Sequence, residues 1–495
     1  MKKILFVTSE AFPLIKTGGL ADVSGSLPIA LRALGHDVRI LIPDYASILS
    51  DQDFKPARNL GNSDAGITIL EGVLPGSEVP VWGLSHKGFF GRKGNPYLDD
   101  EGHPWPDNAD RFSLLCHVGV DMAMDRLGLD WKPDIVHCND WQTGLIPALL
   151  SDEIRRPAVV FTIHNLAYQG VFPRETFTRL RLPSRLWSLQ ALEFYDQFSF
   201  IKGGLVFADR ISTVSPTYAR EIQGKEFGCG LEGVLGHRRD RLTGILNGID
   251  AEAWNPATDP HLPSHFDART IEKRGELKRR LQERFGLQQS PSIPLLAGVG
   301  RLVEQKGIDL LIDILPWLAE KNLQMALIGT GNPRYERTLR QWSRLFPERI
   351  AIHTGYDEAR AHLVEAGADI FLMPSRFEPC GLNQMYSQRY GAVPLVRRVG
   401  GLADTVLDAN PVTLAQGVAT GIVFNEATPE ALLEAIERAL NLYQDPSNWH
   451  SLQSAGMSKD FSWETSARQY LGLYEMALHD CMQTDSPAWR SQRFA

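Results

Sequence analysis

The first residues with chemical potential lie on a loop near the start of the chain. Lys16, Gly18 and Gly19 follow the apolar run at residues 4–7 and precede apolar positions at helical spacing, so they join a predicted strand to a predicted helix. Backbone N–H groups at a helix N-terminus can face an anion, and an ammonium group can close over it. The loop is therefore a candidate phosphate site, although a plain tight turn with an exposed lysine would show the same residues.

The sequence Gly-Gly-Leu-Ala-Asp on this loop occurs a second time, far along the chain. It occupies residues 18–22 and again residues 400–404, where it also follows a strand-like segment. Chance identity over such a run is improbable, so we interpret it as a repeated strand-to-helix turn. The repeat predicts two similarly built α/β lobes that could present two glycine turns to one ligand.

Two cations lie on a predicted strand-to-helix loop in the second half of the chain. They are Arg301 and Lys306, and glycines at positions 300 and 307 flank them. Both could reach one diphosphate, Arg301 as a planar fork and Lys306 as a point charge. Each such charge-assisted hydrogen bond contributes roughly 1.5–3 kcal/mol. Two unrelated surface cations are the alternative.

A turn that contains Glu378 follows another predicted strand. The amides of Cys380, Gly381 and Leu382 lie where the next helix begins, so they can bind phosphate or sugar hydroxyl groups. Glu378 supplies a carboxylate acceptor for the same ligand. The alternative is that Glu378 only caps that helix.

Other polar or aromatic side chains also end predicted strands. Asp140 and His164 each lie just beyond an apolar segment, where doubly wound sheets bind their ligands. Both are candidates for sugar binding or catalysis, with a helix-capping aspartate and a buried core histidine as the alternatives. Tyr356 could stack on a base or belong to the core. Gly-Thr-Gly at residues 329–331 lacks the third glycine of the dinucleotide fingerprint, because position 334 is arginine.

Strands and helices that alternate along both halves must position these residues. In the first half, strands are predicted at residues 3–8, 37–42, 67–74, 79–85, 134–137, 158–163, 210–214 and 242–246. In the second half, they are predicted at residues 295–299, 324–328, 350–353, 370–373, 393–396 and 421–424. Helices are predicted between them and at residues 270–285, 430–442 and 463–482. Such alternation predicts parallel sheets with right-handed crossovers, and hence a doubly wound α/β fold.

The breaker-rich stretch at residues 254–260 indicates a change of domain. We predict a first Rossmann-like lobe at residues 1–250 and a second at residues 251–462. The last periodic segment, residues 463–482, follows the completed second lobe and is free to return to the first. Residues 43–109 are predicted to form an ordered insertion, because they are rich in aromatic side chains, which disordered tracts lack.

Composition argues against several kinds of partner. The 495-residue chain has a net charge of −8 and a pI of about 5.9, so no overall positive field would hold nucleic acid or an anionic membrane. No apolar run approaches the ~20 residues of a transmembrane helix. The five cysteines are scattered without metal-ligand spacing, which predicts a reduced cytoplasmic enzyme without disulfides or structural zinc. The basic run at residues 273–284 is predicted to be a solvated helix face.

Six motifs together resemble those of the bacterial glycogen synthase and plant starch synthase family. They follow that family's order over nearly the whole chain and lie at residues 16–22, 164–170, 212–216, 246–250, 300–307 and 376–381. The resemblance implies a GT-B fold, in which two Rossmann-like lobes enclose a cleft. It also implies retaining transfer of glucose from ADP-glucose to the non-reducing end of an α-1,4-glucan such as glycogen, without a cofactor or a metal.

The same resemblance implies how the donor diphosphate would be bound. Lys16, together with the turn at Gly18 and Gly19, would meet it from the first lobe. Arg301 and Lys306 would meet it from the second lobe and neutralise charge as the phosphate leaves. The catalytic electrostatics would then come from side chains and amides rather than from a metal.

For the sugar and the base, the resemblance implies a second set of contacts. His164 and Glu378 would hold the glucose, and Asp140 would lie near the acceptor or the reacting centre. Tyr356 would stack near the adenine. The amides of residues 380–382 would bind glucose hydroxyls and phosphate.

Three positions depart from the family pattern. Position 139 is asparagine where some relatives have histidine, and position 399 is valine where threonine is common. Position 386 is tyrosine where the wider superfamily often has a second carboxylate, so a paired-carboxylate mechanism is not predicted. The departing phosphate is then the candidate acceptor for the proton of the incoming hydroxyl.

Three other functions stay open on the sequence alone. A phosphorylase would share the architecture and run the reverse reaction. A non-catalytic polysaccharide-binding protein would not need so many phosphate-facing cations. An oxidoreductase is disfavoured because the sequence carries no complete dinucleotide fingerprint. The residues do not distinguish ADP from UDP, so both nucleotides also stay open.

Overall fold

The computed structural model describes residues 1–49, 52–60, 66–92, 94–355 and 357–484. The chain divides into two compact units, Met1–Gly248 together with the segment that begins at Trp463, and Ile249–Ser462. The predicted division, after residue 250, lies two residues further along the chain. The breaker-rich stretch at residues 254–260 therefore belongs wholly to the second unit.

Within the described residues, a nine-stranded sheet forms the centre of the first unit. Its strands, together with those of a small three-stranded sheet, are β1 (Lys3–Val7), β2 (Asp37–Pro43), β3 (Lys55–Leu60), β4 (Ile67–Val73), β5 (Pro80–His86), β6 (Ile135–Asn139), β7 (Ala158–Ile163), β8 (Val171–Pro173), β9 (Glu193–Phe194), β10 (Gln197–Ser199), β11 (Arg210–Thr213) and β12 (Leu242–Gly244). The order across the large sheet is β12-β11-β7-β6-β1-β2-β5-β4-β3. The apolar residues of β1 and β6 are fully buried, as expected of central strands covered on both faces.

One edge of this sheet departs from the parallel pairing of its other strands. The strands from β12 to β5 in that order pair in parallel, but β4 pairs antiparallel with β5 and β3 antiparallel with β4. Antiparallel neighbours need only a short connection, so this part of the predicted insertion adds strands without crossover helices. Strand β3 was not predicted, because its polar, proline-containing sequence shows no apolar alternation. The small sheet of β8, β9 and β10 was also missed, since strands of two or three residues carry no periodicity.

Helices cover the sheet of the first unit. They are α1 (Gly19–Ala33), α2 (Asn108–Ala123), α3 (Leu145–Leu150), α4 (Arg174–Arg179), α5 (Phe200–Phe207), α6 (Pro216–Glu221) and α7 (Glu232–His237). Of the five apolar positions that predicted it, helix α1 buries Val23, Leu27 and Leu31, whereas Ile29 is exposed and Leu34 lies just beyond its last residue. Just beyond its end, Gly35 adopts a φ of +87°, which favours glycine and ends the helical run.

The second unit contains a six-stranded, wholly parallel sheet within the described chain, so the predicted doubly wound fold is confirmed here without exception. Its strands are β13 (Leu295–Val299), β14 (Gln324–Ile328), β15 (Ile350–His353), β16 (Ile370–Met373), β17 (Val393–Arg397) and β18 (Ile422–Phe424). Its helices are α8 (Arg274–Phe285), α9 (Ile308–Asp313), α10 (Leu315–Glu320), α11 (Pro333–Leu345), α12 (Glu358–Gly367), α13 (Asn383–Arg389), α14 (Gly400–Thr405), α15 (Pro411–Ala415), α16 (Pro429–Tyr443) and α17 (Pro446–Met457). The first four strands match their predicted bounds residue for residue.

The final helix, α18 (Trp463–Thr484), returns to the first unit as predicted. Its buried face carries Tyr470 and Tyr474, which belong to the same apolar cluster as Leu27 of α1. The hydroxyl of Tyr474 lies 2.8 Å from Nδ1 of His137 on β6, so a buried hydrogen bond also fixes the helix to the sheet. No helix in the described part of the chain is long and apolar enough to cross a membrane.

Helix α8 corrects the expectation of a fully solvated basic face. Arg274 and Lys278 are buried, and Nζ of Lys278 lies 2.7 Å from the carboxylate of Asp369. Arg279 and Arg280, by contrast, form exposed ion pairs with Glu276. Two cations of the run therefore attach the helix to the rest of its unit. The charge pattern alone does not show which cations are buried.

A buried polar cluster anchors the stretch at residues 254–260 within the second unit. Oδ2 of Asp259 accepts hydrogen bonds from Nδ1 of His362 at 2.7 Å and from the hydroxyl of Tyr390 at 2.6 Å. The ring of Trp254 stacks on His362 with centroids 3.9 Å apart. Since the Asp259 side chain has no solvent exposure, its charge depends on these donors.

We predict that this cluster makes stability depend on pH. Burial lowers the pKa of His362, but its hydrogen bonds to Asp259 and Glu358 outweigh burial and raise the pKa above its ordinary value. A raised folded-state pKa gives stability that is complete below pH ~6.5 and is lost as pH rises through the raised value. His362→Gln should therefore cost about 1–3 kcal/mol at pH 6 and clearly less at pH 9. Thermal unfolding at both pH values measures this, and equal losses would contradict it.

Candidate functional site

In each unit the order of strands reverses between two neighbouring strands whose carboxyl ends carry candidate residues. In the first unit these strands are β1 and β6, and in the second they are β13 and β16. Doubly wound sheets bind ligands at such switch points, because loops diverge there and leave a crevice. The loop after β1 contains Lys16, and Asp140 follows β6. Arg301 follows β13, and Glu378 follows β16.

The first glycine pair lies at the N-terminus of α1. A Cβ atom added to Gly18 or Gly19 would meet nothing within 4 Å, so the loop faces open space on that side. Lys16 is half-exposed, and its Nζ lies 2.7 Å from the carboxylate of Asp22 in the first turn of the helix. Open glycine backbone, a helix N-terminus and a nearby ammonium group are the elements of an anion site.

A buried carboxylate that was not among the predicted site residues accepts hydrogen bonds from this loop. Oε2 of Glu10 accepts the N–H groups of Thr17 at 2.5 Å and Gly18 at 3.1 Å. Oε1 accepts the hydroxyl groups of Thr17 at 2.6 Å and Tyr97 at 2.5 Å. Two amides of the loop that was predicted to bind phosphate therefore donate to Glu10 instead. The only signal in the sequence was the position of Glu10, shortly after β1.

Asp140 is buried immediately after β6 in a backbone conformation that is rare for a residue with a side chain, with φ at +55°. Its Oδ1 accepts the N–H of His164 at 2.7 Å and that of Asn165 at 3.4 Å. Burial raises the pKa of Asp140 to about 7, although these two N–H groups lower it. The Asp140 carboxyl therefore stands close to its titration point near neutral pH, where it can either donate or accept a proton.

His164 is held in one neutral form. Nδ2 of Asn139 donates to the carbonyl oxygens of Val7 at 3.0 Å and His137 at 3.4 Å, which turns the amide oxygen of Asn139 towards Nε2 of His164 at 2.9 Å. An amide oxygen only accepts, so the proton of His164 is assigned to Nε2. Burial lowers the pKa of His164 to about 3, so the ring is uncharged. Its Nδ1 is left as an acceptor for a hydroxyl group of a ligand.

In the second unit an ion pair links the ends of the two switch-point strands. Nζ of Lys306 and one carboxylate oxygen of Glu378 are 2.5 Å apart, and the hydroxyl of Ser375 donates to the same oxygen at 3.0 Å. Glu378 is buried and does not cap α13, so the helix-cap alternative is not what the structure shows. Arg301 is exposed on the same loop as Lys306 and donates to Gln305 at 3.2 Å.

The turn after Glu378 is shaped by a glycine conformation. Gly381 has a φ of +72°, in the region that favours glycine, and Cys380 is buried. Leu382 is the residue that precedes the first turn of α13. Binding of a ligand by the amides of Cys380, Gly381 and Leu382 stays a prediction.

The second glycine pair differs from the first. A Cβ atom on Gly400 would overlap with the carbonyl oxygen of Glu378, and one on Gly401 with that of Cys380. The amide of Gly401 also donates to the carbonyl oxygens of Glu378 and Pro379, each at 3.2 Å. The two glycine pairs therefore differ in their surroundings, because the second pair packs against the backbone of the Glu378 turn. That both turns face one ligand stays a prediction.

Three further positions bear on the candidate site: residues 356, 386 and 247. Tyr356 lies outside the described residues. Tyr386, at the position where a second carboxylate is common, stacks on Trp254 with ring centroids 3.8 Å apart and so serves packing. Asn247 was missed: it is buried after β12, and its Oδ1 has no hydrogen-bond partner within the described chain. An orphaned buried acceptor of this kind marks a place where a ligand could donate.

In the described ranges, no group of three or more His, Cys, Asp or Glu side chains is arranged to hold a metal ion. The polar groups at the two switch points are instead cations, amides, carboxyl groups and one neutral imidazole. Such groups can bind phosphate and sugar hydroxyls and stabilise charge on a departing phosphate.

Comparisons with known proteins agree with these features. A family model described as the starch synthase catalytic domain matches residues 3–237, and one described as glycosyl transferases group 1 matches residues 280–451. Glycogen synthase 1 of Methylococcus capsulatus is 62% identical over 476 residues, covering 96% of this chain and 97% of that protein. Glycogen synthase of Thioalkalivibrio sulfidiphilus is 53% identical over 478 residues, covering 96% of this chain and 99% of that protein.

A solved structure is similar over almost the whole chain. The catalytic domain of starch synthase IV from Arabidopsis thaliana, bound to ADP and acarbose, has a TM-score of 0.87 at 33% identity and covers 97% of this chain and 99% of that chain. Sucrose-phosphate synthase from Thermosynechococcus elongatus has a TM-score of 0.58 at 18% identity over 96% of this chain and 98% of that chain, which shows a likeness of fold alone.

Two Rossmann-like α/β units and matches to two glycosyltransferase family models define a glycosyltransferase of the GT-B fold. The predicted fold class and enzyme class are thereby confirmed. With 62% identity to a curated relative over nearly its whole length, the chain belongs to the glycogen synthase family. The resemblance that the six sequence motifs indicated is confirmed as well.

The two glycine pairs make a matched test of stability. Gly401→Ala should destabilise the protein by about 1–3 kcal/mol or more, because its methyl group overlaps with backbone that cannot move freely. Gly19→Ala should leave the melting temperature unchanged or slightly raised, because its methyl group meets open space at the start of a helix. Thermal unfolding of both variants measures the difference, and similar melting temperatures would contradict the assignment.

Asp140 should make stability depend on pH in the direction opposite to that of most carboxylates, whose pKa is lowered in the folded state. Because its folded-state pKa is raised to about 7, the charged form is disfavoured by burial, and stability falls as pH rises towards and through that value. Asp140→Asn keeps an oxygen that can accept the N–H of His164 and carries no charge. We expect it to melt higher than the wild type at pH 8, with the gap shrinking at pH 5. A gap that widens at pH 5 would refute the assignment.

Proposed function

We propose that this protein elongates an α-1,4-glucan by transferring glucose from ADP-glucose to the non-reducing end, with retention at the anomeric carbon. The observation that carries the proposal is the ion pair of Lys306 and Glu378 at the switch point of the second unit, beside Arg301. Membership of the glycogen synthase family supports the reaction. The starch synthase structure bound to ADP supports adenine over uracil as the base of the donor.

The proposed donor contacts begin with charge. In the second unit, Arg301 and Lys306 would contact the diphosphate and stabilise the charge that grows as it leaves. In the first unit, Lys16 and the free face of the turn at Gly18 and Gly19 would contact it. Ammonium and guanidinium groups are suited to this because their hydrogen bonds to phosphate are charge-assisted.

The glucose would be held by groups whose protonation is fixed. Glu378 is oriented by Lys306 and Ser375, so its carboxylate can accept a sugar hydroxyl in a defined direction. His164 is neutral and accepts a hydroxyl at Nδ1. Asp140, which titrates near neutral pH, would lie by the acceptor or the reacting centre.

In the proposed chemical step, the bond between C1 of glucose and the phosphate oxygen breaks, and its electron pair goes to the phosphate. The hydroxyl at the non-reducing end attacks C1 from the same face, and its proton passes to the phosphate oxygen. No enzymic base and no metal is invoked. Isolation of a covalent glucosyl-enzyme on Glu378, Asp140 or His164 would overturn this step.

Several expectations stay proposals. They are binding of glucose hydroxyls and phosphate by the amides of residues 380–382, stacking of Tyr356 near adenine, independence of metals, and a cytoplasmic location without nucleic-acid or membrane partners. The relative bound to acarbose supports a glucan acceptor as the partner.

One assay tests the proposed reaction directly. The protein is incubated with glycogen and labelled ADP-glucose or labelled UDP-glucose, with and without a chelator. We expect label in the polymer from ADP-glucose, less from UDP-glucose, and no effect of the chelator. Absence of transfer from both donors would refute the proposed function, and loss of transfer with the chelator would refute the metal-free mechanism.

Substitution of the two lysines separates turnover from donor binding. Lys306→Ala removes a charge that stabilises the leaving phosphate and should lower kcat by about 100-fold or more. Lys16→Ala and Gly19→Ala should chiefly raise KM for ADP-glucose, by about tenfold. The exposed Lys225→Ala and Lys459→Ala serve as controls for removal of a positive charge. Values within about twofold of wild type for Lys306→Ala and Lys16→Ala would overturn these assignments.

A further inference from the structure

The loop that joins β1 to α1 uses its backbone N–H groups in two different ways. Those of Thr17 and Gly18 point to Oε2 of Glu10, at 2.5 Å and 3.1 Å. The next two, of Gly19 and Leu20, make no backbone or side-chain hydrogen bond that the described chain shows, as expected at a helix N-terminus. Two N–H groups of the loop therefore bind an internal carboxylate, and the next two have no partner in the described chain.

Glu10 is an unusual carboxylate because hydrogen bonds alone support it. The residue is 3% exposed, and within the described residues its carboxylate forms no ion pair with a lysine, arginine or histidine. Four donors converge on its two oxygens, two amides and two hydroxyl groups, the latter from Thr17 and Tyr97. Burial and the charge of Glu10 raise the pKa of Tyr97 well above its ordinary range, so its hydroxyl remains a donor.

We propose that Glu10 is a positioning residue for donor binding: its carboxylate fixes the loop so that the amides of Gly19 and Leu20, and no others, are presented to the diphosphate. The inference rests on the proposed function of this loop. Without Glu10, the amides of Thr17 and Gly18 would lose their acceptor and the loop could rotate to satisfy them elsewhere. The free amides of the helix N-terminus would then no longer be held in register with a ligand.

The proposal assigns the effect to the reach of the Glu10 side chain rather than to its charge. A glutamine at this position keeps the reach: its oxygen can accept both N–H groups, and its amide can donate to the hydroxyl groups of Thr17 and Tyr97, which can turn to accept. An aspartate keeps the charge but is one methylene shorter, so its carboxylate falls short of the loop. The two variants separate reach from charge.

The experiment measures kcat and KM for ADP-glucose, KM for glycogen, ADP affinity by calorimetry and the melting temperature. For Glu10→Gln we expect KM for ADP-glucose within about threefold of wild type. For Glu10→Asp we expect it to rise about tenfold, with a parallel loss of ADP affinity and no change in KM for glycogen. Glu71→Asp, an exposed acid on β4, is the matched control.

Two patterns would overturn the proposal. One is a wild-type KM for ADP-glucose in Glu10→Asp, even with a lowered melting temperature, because Glu10 would then serve stability alone. The other is a Glu10→Gln variant as impaired as Glu10→Asp, because charge and not reach would then matter. Failure of the wild type to transfer glucose or to bind ADP would instead refute the proposed function.

A milder variant keeps the test open should Glu10→Asp not fold. Thr17→Val removes only the hydroxyl donor at 2.6 Å and leaves the backbone N–H bonds in place. KM for ADP-glucose should then rise about threefold, the effect of one weakened hydrogen bond. An unchanged KM in this variant, with an unchanged melting temperature, would also overturn the proposal.

Discussion

Carboxylates of the chain itself fix the glycine loop and two of the cations that are proposed to bind the donor phosphate. Glu10 accepts two amides of the glycine loop, Asp22 pairs with Lys16, and Glu378 pairs with Lys306. Cations and amides without hydrogen-bond partners would be free to move, whereas paired groups keep one geometry in the absence of a ligand. In each unit the cost is a carboxylate beside a group that is proposed to bind the phosphate.

Burial imposes a second constraint at the switch point of the first unit. A low-dielectric environment disfavours charge, so His164 stays neutral and Asp140 has a pKa of about 7. Asn139 then decides which nitrogen of His164 carries the proton, because its own amide is fixed by the carbonyl oxygen of Val7. The departure from histidine at position 139 thus has a defined consequence: this residue always offers His164 an acceptor.

The repeated pentapeptide shows how one sequence can serve two purposes. At residues 18–19 the missing side chains leave space beside a helix N-terminus, and at residues 400–401 they allow backbone to pack on backbone. Both uses require the absence of a Cβ atom, so the same glycine pair occurs at both places. The difference lies in the neighbours: the Glu378 turn packs on the second pair, whereas the first pair faces open space.

The sequence by itself determined the alternation of strands and helices, the parallel pairing of most strands and the positions of the candidate residues after strand ends. Apolar periodicity is local, so it predicted strands such as residues 295–299 without error. It did not predict β3, β8, β9 or β10, because short or polar strands depend on their partners. The family resemblance also came from local motifs, and comparisons over the whole chain confirmed it.

Only the tertiary structure decided what each polar group touches. That Glu10 occupies the amides of Thr17 and Gly18, that Lys278 is buried against Asp369, and that Tyr386 packs on Trp254 all depend on residues distant in sequence. The tautomer of His164 follows from its hydrogen bond to Asn139, and the raised pKa of Asp140 follows from burial; no local pattern fixes either. Sequence thus gives the types and order of the chemical groups, whereas folding sets their partners and protonation.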